Sequence, residues 1–180
     1  MKLMFSGCGG AFALSDQFQT NAVVMADDGS RMLLDCGSYA PLALHEQGVM
    51  VEHIKALYIS HLHADHVGGV EWLALKTYFN PKIERPKLFC DYQLMQDMWD
   101  KTLRGGLETL EGKVATLESY FDCHPVHQNK SFMWKDVKFT PVQTIHVLSG
   151  YRIMHSFGLI IDAFPDATDD ERRELWSWGT

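Results

Sequence analysis

The sequence predicts an α/β layered sandwich that forms a single domain over residues 1–180. Its first half alternates short apolar, β-branched runs with segments of helical spacing, and strands dominate its second half. The 180 residues are 46% hydrophobic, which is enough for one domain with a sizeable core. We find no internal repeat, low-complexity tract or linker that would divide the chain.

The N-terminal elements are a strand, a β-hairpin and a short helix. Residues 2–5 read as a strand that runs into a glycine turn. Residues 21–26 and 31–34 are apolar runs around an Asp-Asp-Gly turn, which predicts a hairpin. Residues 41–47 begin with proline and are followed by Gly48, which is typical of a short helix.

The middle of the chain predicts alternating strands and helices. Residues 54–60 form an apolar run typical of a buried strand, and residues 87–90 a shorter one. Residues 67–79 have helical spacing. Residues 92–103 read as an amphipathic helix that the glycine pair at positions 105–106 stops.

Strands return near the C-terminus. We expect strands at residues 131–134, 137–140 and 142–145, followed by a long strand at residues 151–161 with antiparallel neighbours. The stretch Thr-Asp-Asp-Glu at residues 168–171 fits a capping box that opens a final short helix. Residues 122–127, DCHPVH, read as a polar loop whose spacing fits no closed zinc site.

Composition argues against several classes of protein. The net charge of −7 and the absence of a lysine or arginine run give no strong sign of nucleic-acid binding. No apolar run is long enough to span a bilayer, and the N-terminus lacks the layout of a signal peptide. The four cysteines are far apart and form no CxxC pair, so we expect free thiols in a reducing cytoplasm.

The stretch SHLHADHVGG, residues 60–69, crowds candidate metal ligands into one turn. His61 and His63 are two residues apart at a strand end, where an extended backbone points both side chains the same way. Asp65 and His66 follow the turn, so one loop could present two ligand pairs to two adjacent metals. The two glycines after them would let the backbone pack closely behind the loop.

These residues match HxHxDH, and the sequence therefore resembles the metallo-β-lactamase superfamily. The stretches GCGGAFALSDQFQTNAVV, LLDCGS and QTIHVLSGYRIMHSFGLII resemble its phosphodiesterase branch, which includes the tRNA 3′-processing nucleases. The likeness covers about residues 1–161 and implies a metallo-β-lactamase αββα sandwich.

The resemblance also implies the roles of site residues and the metal. It assigns His61, His63 and His146 to one metal, and Asp65 and His66 to the other, with Asp65 also catalytic. The metal would be Zn²⁺, with two ions bound and the second one held more weakly. Mn²⁺ is the alternative. Asp35 would orient one ligand by a hydrogen bond, or would simply end its strand in a turn. No substrate-binding residue is identified.

The C-terminal part departs from this family pattern. The superfamily normally adds a bridging aspartate in a GDT-like stretch and a late histidine, but this chain has no GDT and no histidine after His155. Asp162 follows the far end of the strand that leads away from His146, so we expect it to lie too far from the metal site to act as the bridging aspartate. We expect a sandwich that is incomplete on its C-terminal side, with truncation preferred over a poorly bound second metal or completion by a partner subunit.

The acidic composition decides among the functions that this branch implies. The insert at residues 80–130 has few positive charges, whereas a tRNA substrate would need a basic surface. The layout is similar to phage and bacterial cyclic-nucleotide phosphodiesterases, including anti-Pycsar proteins. This likeness implies hydrolysis of small 3′,5′-cyclic nucleotides by a homodimer in the cytoplasm, the host's if phage-encoded, with no membrane partner. The alternatives are a tRNA 3′-processing endonuclease and a non-catalytic metal-binding protein.

Two residues near the third ligand block have open roles. His155 could face the pocket as an acid or a phosphate contact, and we favour a core histidine with a partner. Tyr151 could touch substrate, and we favour core packing.

Overall fold

Two β-sheets lie face to face, with helices on the far side of the larger one. The computed structural model describes residues 1–14, 16–168 and 171. The strands are β1 (Lys2–Phe5), β2 (Ala22–Met25), β3 (Arg31–Leu34), β4 (Ile54–Tyr58), β5 (Lys87–Asp91), β6 (Thr109–Leu110), β7 (Lys113–Val114), β8 (Asp122–Val126), β9 (Phe132–Trp134), β10 (Val137–Leu148) and β11 (Ile153–Asp162). The helices are α1 (Ala40–Glu46), α2 (Ala64–Val67), α3 (Val70–Tyr78), α4 (Tyr92–Met98), α5 (Arg104–Leu107) and α6 (Leu117–Tyr120).

The larger sheet has the strand order β1-β2-β3-β4-β5-β8. Strands β1, β2 and β3 pair antiparallel, whereas β3-β4, β4-β5 and β5-β8 are parallel. The smaller sheet, β11-β10-β9, is wholly antiparallel. Parallel pairing brings the carboxyl ends of β3 and β4 to one edge of the sheet, where ligands commonly bind in α/β folds.

Alternating strand residues separate the layers. Leu57 and Leu88 belong to an apolar cluster with the helices, and their neighbours Ala56 and Phe89 pack with Phe139 of the smaller sheet. Among the described residues, no helix covers the outer face of the smaller sheet, where Ile160 is 59% exposed. Three of the four αββα layers are thus present in the part of the chain that the structure describes.

Most of the predicted elements are confirmed, but two helices differ from the prediction. The helix expected at residues 67–79 is α3, which begins at Val70 because Val67 ends the separate turn α2 and Gly68 and Gly69 lie between the two. The helix expected at residues 92–103 continues through a π-helical turn, Trp99–Leu103, into α5. Gly105 and Gly106 do not stop it, because α5 buries Leu107 and a side chain at Gly106 would collide with Glu71.

The strand predictions near the C-terminus were wrong in two places. The two strands expected at residues 137–140 and 142–145 are one strand, β10. Pro141 does not interrupt β10. Its pairing with β9 ends at Phe139, so no N–H is needed at Pro141 on the side that faces β9. The polar loop expected at residues 122–127 is mostly strand β8, which forms the sheet edge beside β5.

The final helix is only partly described. Glu171 N donates to Thr168 Oγ1 at 3.3 Å, and Thr168 N donates to Glu171 Oε2 at 2.8 Å. This reciprocal pair is the predicted capping box. The helix that it would open lies outside the described residues.

Close approach at Gly69 couples the larger sheet to the histidine loop. Gly69 N donates to Cys36 O at 2.8 Å, and an added Cβ at Gly69 would lie 2.5 Å from Gly37 O. Gly69→Ala is therefore expected to lower the free energy of unfolding by about 1–3 kcal/mol, as overpacking does. Urea denaturation followed by circular dichroism measures the change.

Gly105→Ala is the matched control for this prediction. Nothing lies within 4 Å of a Cβ added at Gly105, which is within α5, so alanine there is expected to stabilise by up to about 1 kcal/mol. Equal destabilisation by both substitutions would contradict the close contact at Gly69.

Candidate metal centre

The loop between β4 and α2 carries the histidine cluster. β4 lies between β3 and β5, and its carboxyl end is at the same end of the sheet as that of β3. His61 and His63 follow β4 at this end. His63 is extended, with φ −69° and ψ 147°, and is the residue that precedes α2. Asp65 and His66 then lie in the single turn of α2.

Three imidazoles meet at one point. The ligand atoms of His61, His63 and His146 all lie within 4.8 Å of one another. His63 Nδ1 lies 3.2 Å from His61 Nε2 and 3.1 Å from His146 Nε2. His61 is buried, His63 half-buried and His146 exposed, so the group is open to solvent on the His146 side.

A β-bulge places His146. The pairing of β10 with β11 shifts between Ile145 and Val147, which leaves His146 as the extra residue. Bulges re-aim a side chain out of the regular alternation. The bulge thereby brings His146 to a loop 83 residues away in sequence.

Asp65 and His66 form a second pair of donors beside the three imidazoles. Asp65 Oδ2 lies 3.2 Å from His66 Nε2, and both side chains are half-buried. The ring of His66 lies 4.1 Å from that of His61, measured between centroids. The five residues that the sequence selected are therefore adjacent in space.

Asp35 organises both donor sets. It directly follows β3, and its Oδ2 lies 2.6 Å from His66 Nδ1. It also accepts hydrogen bonds from Ser60 N and Ser60 Oγ, each at 2.7 Å. Its φ of +62° is a left-handed conformation that few residues other than glycine and Asn or Asp adopt. The hydrogen bond expected from Asp35 to one candidate ligand is present.

Ser60 extends this network to His61, and the sequence analysis did not single it out. Its hydroxyl donates its one hydrogen to Asp35 Oδ2, so at 2.9 Å from His61 Nδ1 its oxygen accepts a hydrogen bond from that nitrogen. His66 Nδ1 likewise donates to Asp35. With Nδ1 as the donor, the neutral form of each ring has its lone pair on Nε2, which is the form that binds a metal. The signal available was its position immediately before the motif.

Opposite pKa shifts accompany these contacts. Burial and the neighbouring imidazoles lower the pKa of His61 to about 3, so its ring is neutral at neutral pH. Burial also acts to lower the pKa of His66, but the hydrogen bond and charge of Asp35 outweigh it and raise that pKa. Asp35 thus favours a positive charge on the His66 ring, and it would equally favour a cation bound at His66 Nε2.

This donor set fits zinc. Four imidazole nitrogens and one carboxylate oxygen are borderline ligands of the kind that Zn²⁺ takes, and Mn²⁺ also accepts such oxygen-containing sets. His63 Nδ1 faces two Nε2 atoms at once, and one cation between the three rings would satisfy all three lone pairs. The residues present could therefore hold a metal ion.

A second ion would have fewer protein ligands. Within residues 1–14, 16–168 and 171, the three-histidine set is the one group that gathers at least three ligand atoms within 4.8 Å. Asp162 pairs with Lys138, eight residues before His146, which is about 26 Å of extended strand. Asp162 is accordingly too far from the centre to complete it, as its sequence position predicts.

Two nearby residues differ from the preferred prediction. Tyr151 is 99% exposed in the turn between β10 and β11, so it does not pack in the core. His155 lies within β11, but its buried Nδ1 has no hydrogen-bond partner among the described residues. The turn around Gly150, with φ +87°, shortens the strand predicted at residues 151–161 and exposes this hairpin tip.

Cysteine and membrane predictions can also be compared with the structure. The four cysteines are free thiols, as the sequence predicts. Within the described part of the chain, no helix combines the length and apolar character needed to cross a membrane.

Comparison with known proteins reveals close relatives of this sequence. The model of a family described as anti-Pycsar protein Apyc1 matches residues 1–174. The anti-Pycsar protein Apyc1 of Paenibacillus sp. (strain J14) is 37% identical over 148 residues, covering 82% of this chain and 59% of the relative. The one of Bacillus phage vB_BveM-Goe7 is 32% identical over 152 residues, covering 81% and 58%. The chain therefore spans less than two thirds of these relatives' length.

Solved structures with low sequence identity share the fold. The metallo-β-lactamase fold protein YhfI from Bacillus subtilis aligns with a TM-score of 0.67 at 17% identity, covering 91% of this chain and 58% of that one. Human tRNase Z, short form, aligns with a TM-score of 0.61 at 18% identity, covering 89% and 65%. The fold is the metallo-β-lactamase fold, as the sequence predicts.

Proposed function

The chain belongs to the anti-Pycsar protein Apyc1 family, and on that basis we propose that it is a metal-dependent phosphodiesterase. Its substrates are 3′,5′-cyclic nucleotides, which it hydrolyses to nucleoside monophosphates. One water molecule is consumed, one P–O ester bond breaks, and the released ring oxygen leaves as a hydroxyl. The observation that carries this proposal is the convergence of the three imidazoles beside the Asp65–His66 pair.

The proposed ligand sets follow from which atoms face one another. His61 Nε2, His63 Nδ1 and His146 Nε2 bind one zinc ion. Asp65 Oδ2 and His66 Nε2 bind a second one more weakly, since they offer only two donors. The chemistry that such a metal pair would supply is activation of water and neutralisation of charge on the phosphoryl oxygens. Asp65 is the proposed catalytic carboxylate, because it lies beside His66 Nε2, the nitrogen left for a metal, whereas Asp35 contacts Nδ1 of the same ring.

Asp35 and Ser60 are positioning residues in this proposal. Their hydrogen bonds hold the rings of His61 and His66 in fixed orientations, with Nε2 toward the centre. Such partners also raise the basicity of a histidine ligand. The phosphate of the substrate would approach from the side where His146 is exposed.

A small substrate suits the charge of the chain. The net charge is −7, and tRNA binding relies largely on cationic contacts with phosphates. We accordingly favour cyclic nucleotides over a tRNA 3′ end. We also place the protein in the cytoplasm as a homodimer. Because several of its relatives come from Bacillus phages, a phage-encoded form would act in the host cytoplasm.

The function can be tested with the zinc-loaded chain and five substrates. We expect hydrolysis of at least one of 3′,5′-cyclic AMP, CMP, GMP and UMP, with a precursor tRNA left uncut. Chromatography of the products identifies the nucleoside monophosphate. Cleavage of the tRNA alone would favour the processing nuclease, and zinc binding without any hydrolysis would favour a non-catalytic metal-binding protein.

A further inference from the structure

A cavity lies next to the chain segments that carry the candidate metal ligands, on the side of α4, and chain neighbours of the ligands rather than the ligands themselves line it. Its volume is about 660 Å³, and its walls come from α4, from the loop after β8 and from the β10–β11 hairpin. Leu62, between two of the candidate ligands, and Val147, next to His146, both line it. The volume lies in the range of small-molecule sites. An occupant would therefore contact residues that are directly next to candidate ligands in the chain.

The walls of this cavity combine apolar surfaces with polar groups that lack partners. Leu94, Met154 and Phe157 supply apolar contact area. The side chains of Gln128 and Gln143 form no hydrogen bond with other described residues. His155 has its Nδ1 buried, so its accessible polar atom is Nε2. Amides and an imidazole between apolar walls can read the donor and acceptor pattern of a flat heterocycle.

Three of the four charged side chains that line the cavity are engaged by one another or by the backbone, and the fourth, Arg152, is exposed and forms no ion pair with another described residue. Lys101 Nζ lies 2.6 Å from Asp97 Oδ2. Asp91 accepts hydrogen bonds from Gln93 N and Leu94 N at the start of α4. An anionic phosphate gains little from the three paired groups inside the cavity, whereas a neutral polar ring needs no counter-charge. The cavity suits the uncharged end of a nucleotide and leaves the phosphate to the metal centre.

A larger cavity, of about 840 Å³, lies between α4, α6 and β8. None of the candidate ligands or their chain neighbours lines it. Its position gives it no connection with the proposed chemistry, which makes the cavity bordered by Leu62 the better site for substrate.

We infer that this cavity is the nucleobase subsite, with Gln143, Gln128 and His155 contacting the edge of the base. The inference rests on the proposed function, because it is the phosphate at the metal centre that directs the base here. Gln143 is half-buried within β10, three residues before His146, so a rigid strand fixes it relative to the ligand. It is the residue expected to set the preference for one base over another.

The test is binding rather than turnover. Slowly hydrolysed phosphorothioate analogues of 3′,5′-cyclic AMP, CMP, GMP and UMP are titrated calorimetrically into the zinc-loaded protein, beside a base-free methyl riboside 3′,5′-cyclic phosphorothioate. Gln143→Met is expected to weaken at least one base-bearing analogue by about fivefold to tenfold, the effect of one lost hydrogen bond, and to leave the base-free analogue within about twofold.

Two further variants keep the test independent of folding. His155→Phe retains a ring but removes both nitrogens, and it is expected to act selectively on base-bearing analogues as well. Gln96→Met is the control, because Gln96 is exposed, donates to Tyr92 Oη and lines the other cavity. It is expected to change no affinity.

The possible failures of the inference and of the proposed function can be told apart. Equal weakening of base-bearing and base-free analogues, or no weakening by either Gln143→Met or His155→Phe, would overturn the base subsite alone. Failure of all five analogues to bind would reject both the subsite and the cyclic-nucleotide function.

Discussion

Replacing His63 with alanine is expected to lower the affinity for zinc by at least about a hundredfold. Loss of a residue that only hydrogen-bonds to a metal ligand already lowers metal affinity by about 10–100-fold, and His63 is a candidate ligand itself. His63 Nδ1 is the atom that faces both other rings, at 3.2 and 3.1 Å. Its removal leaves His61 and His146 without a third nitrogen between them. Competition titration with a chromogenic zinc chelator measures the affinity, and any hydrolysis of cyclic nucleotides is expected to be lost with it.

His124→Ala is the matched control for this substitution. His124 is a histidine with a side-chain partner of its own, at 2.8 Å from Asp122 Oδ2, and it lies on β8 outside the cluster. We expect its zinc affinity to equal that of the unaltered protein. An equal loss in both variants, or undiminished binding in His63→Ala, would show that zinc is held elsewhere.

Asp35→Asn is expected to have the second largest effect, lowering the affinity for zinc by about 10–100-fold while the protein stays folded. The carboxylate accepts hydrogen bonds from Ser60 N, Ser60 Oγ and His66 Nδ1, and the single oxygen of an amide cannot accept all three. The rings of His61 and His66 then lose their fixed orientation. Asparagine tolerates the positive φ at this position, so the substitution isolates the charge from backbone strain.

Asp122→Asn separates this effect from the loss of any Asp–His pair. Asp122 is exposed and contacts His124, and its replacement is expected to leave zinc affinity unchanged. The same chelator titration and a circular dichroism spectrum serve both variants. Unchanged zinc affinity in Asp35→Asn would remove Asp35 from the positioning role.

Apolar runs and turn residues in the sequence predicted the elements of the fold that form from neighbouring residues. The hairpin of β2 and β3 follows from two apolar runs around a tight turn, and β4 from one continuous apolar run. The helix break at Gly68 and the continuation past Gly106 could not be read in the same way. In both, the outcome depends on tertiary contacts, with Ser38 in the first case and with Glu71 in the second.

The site was predictable where its residues are close in sequence. His61, His63, Asp65 and His66 lie within six positions, and their adjacency follows from one strand end and one turn. His146 was identified only through a family resemblance, because a β-bulge that no local pattern announces brings it to the loop. Ser60, Gln128 and Gln143 escaped notice, since their roles arise from contacts between distant elements.

The most direct test of the account is a crystal structure of the zinc-soaked protein, with diffraction recorded on both sides of the zinc absorption edge. The account predicts an anomalous peak about 2.0–2.1 Å from His61 Nε2, His63 Nδ1 and His146 Nε2, the usual zinc–nitrogen distance. Bound zinc located at another group, such as the Asp122–His124 pair, with none between these three rings, would contradict it.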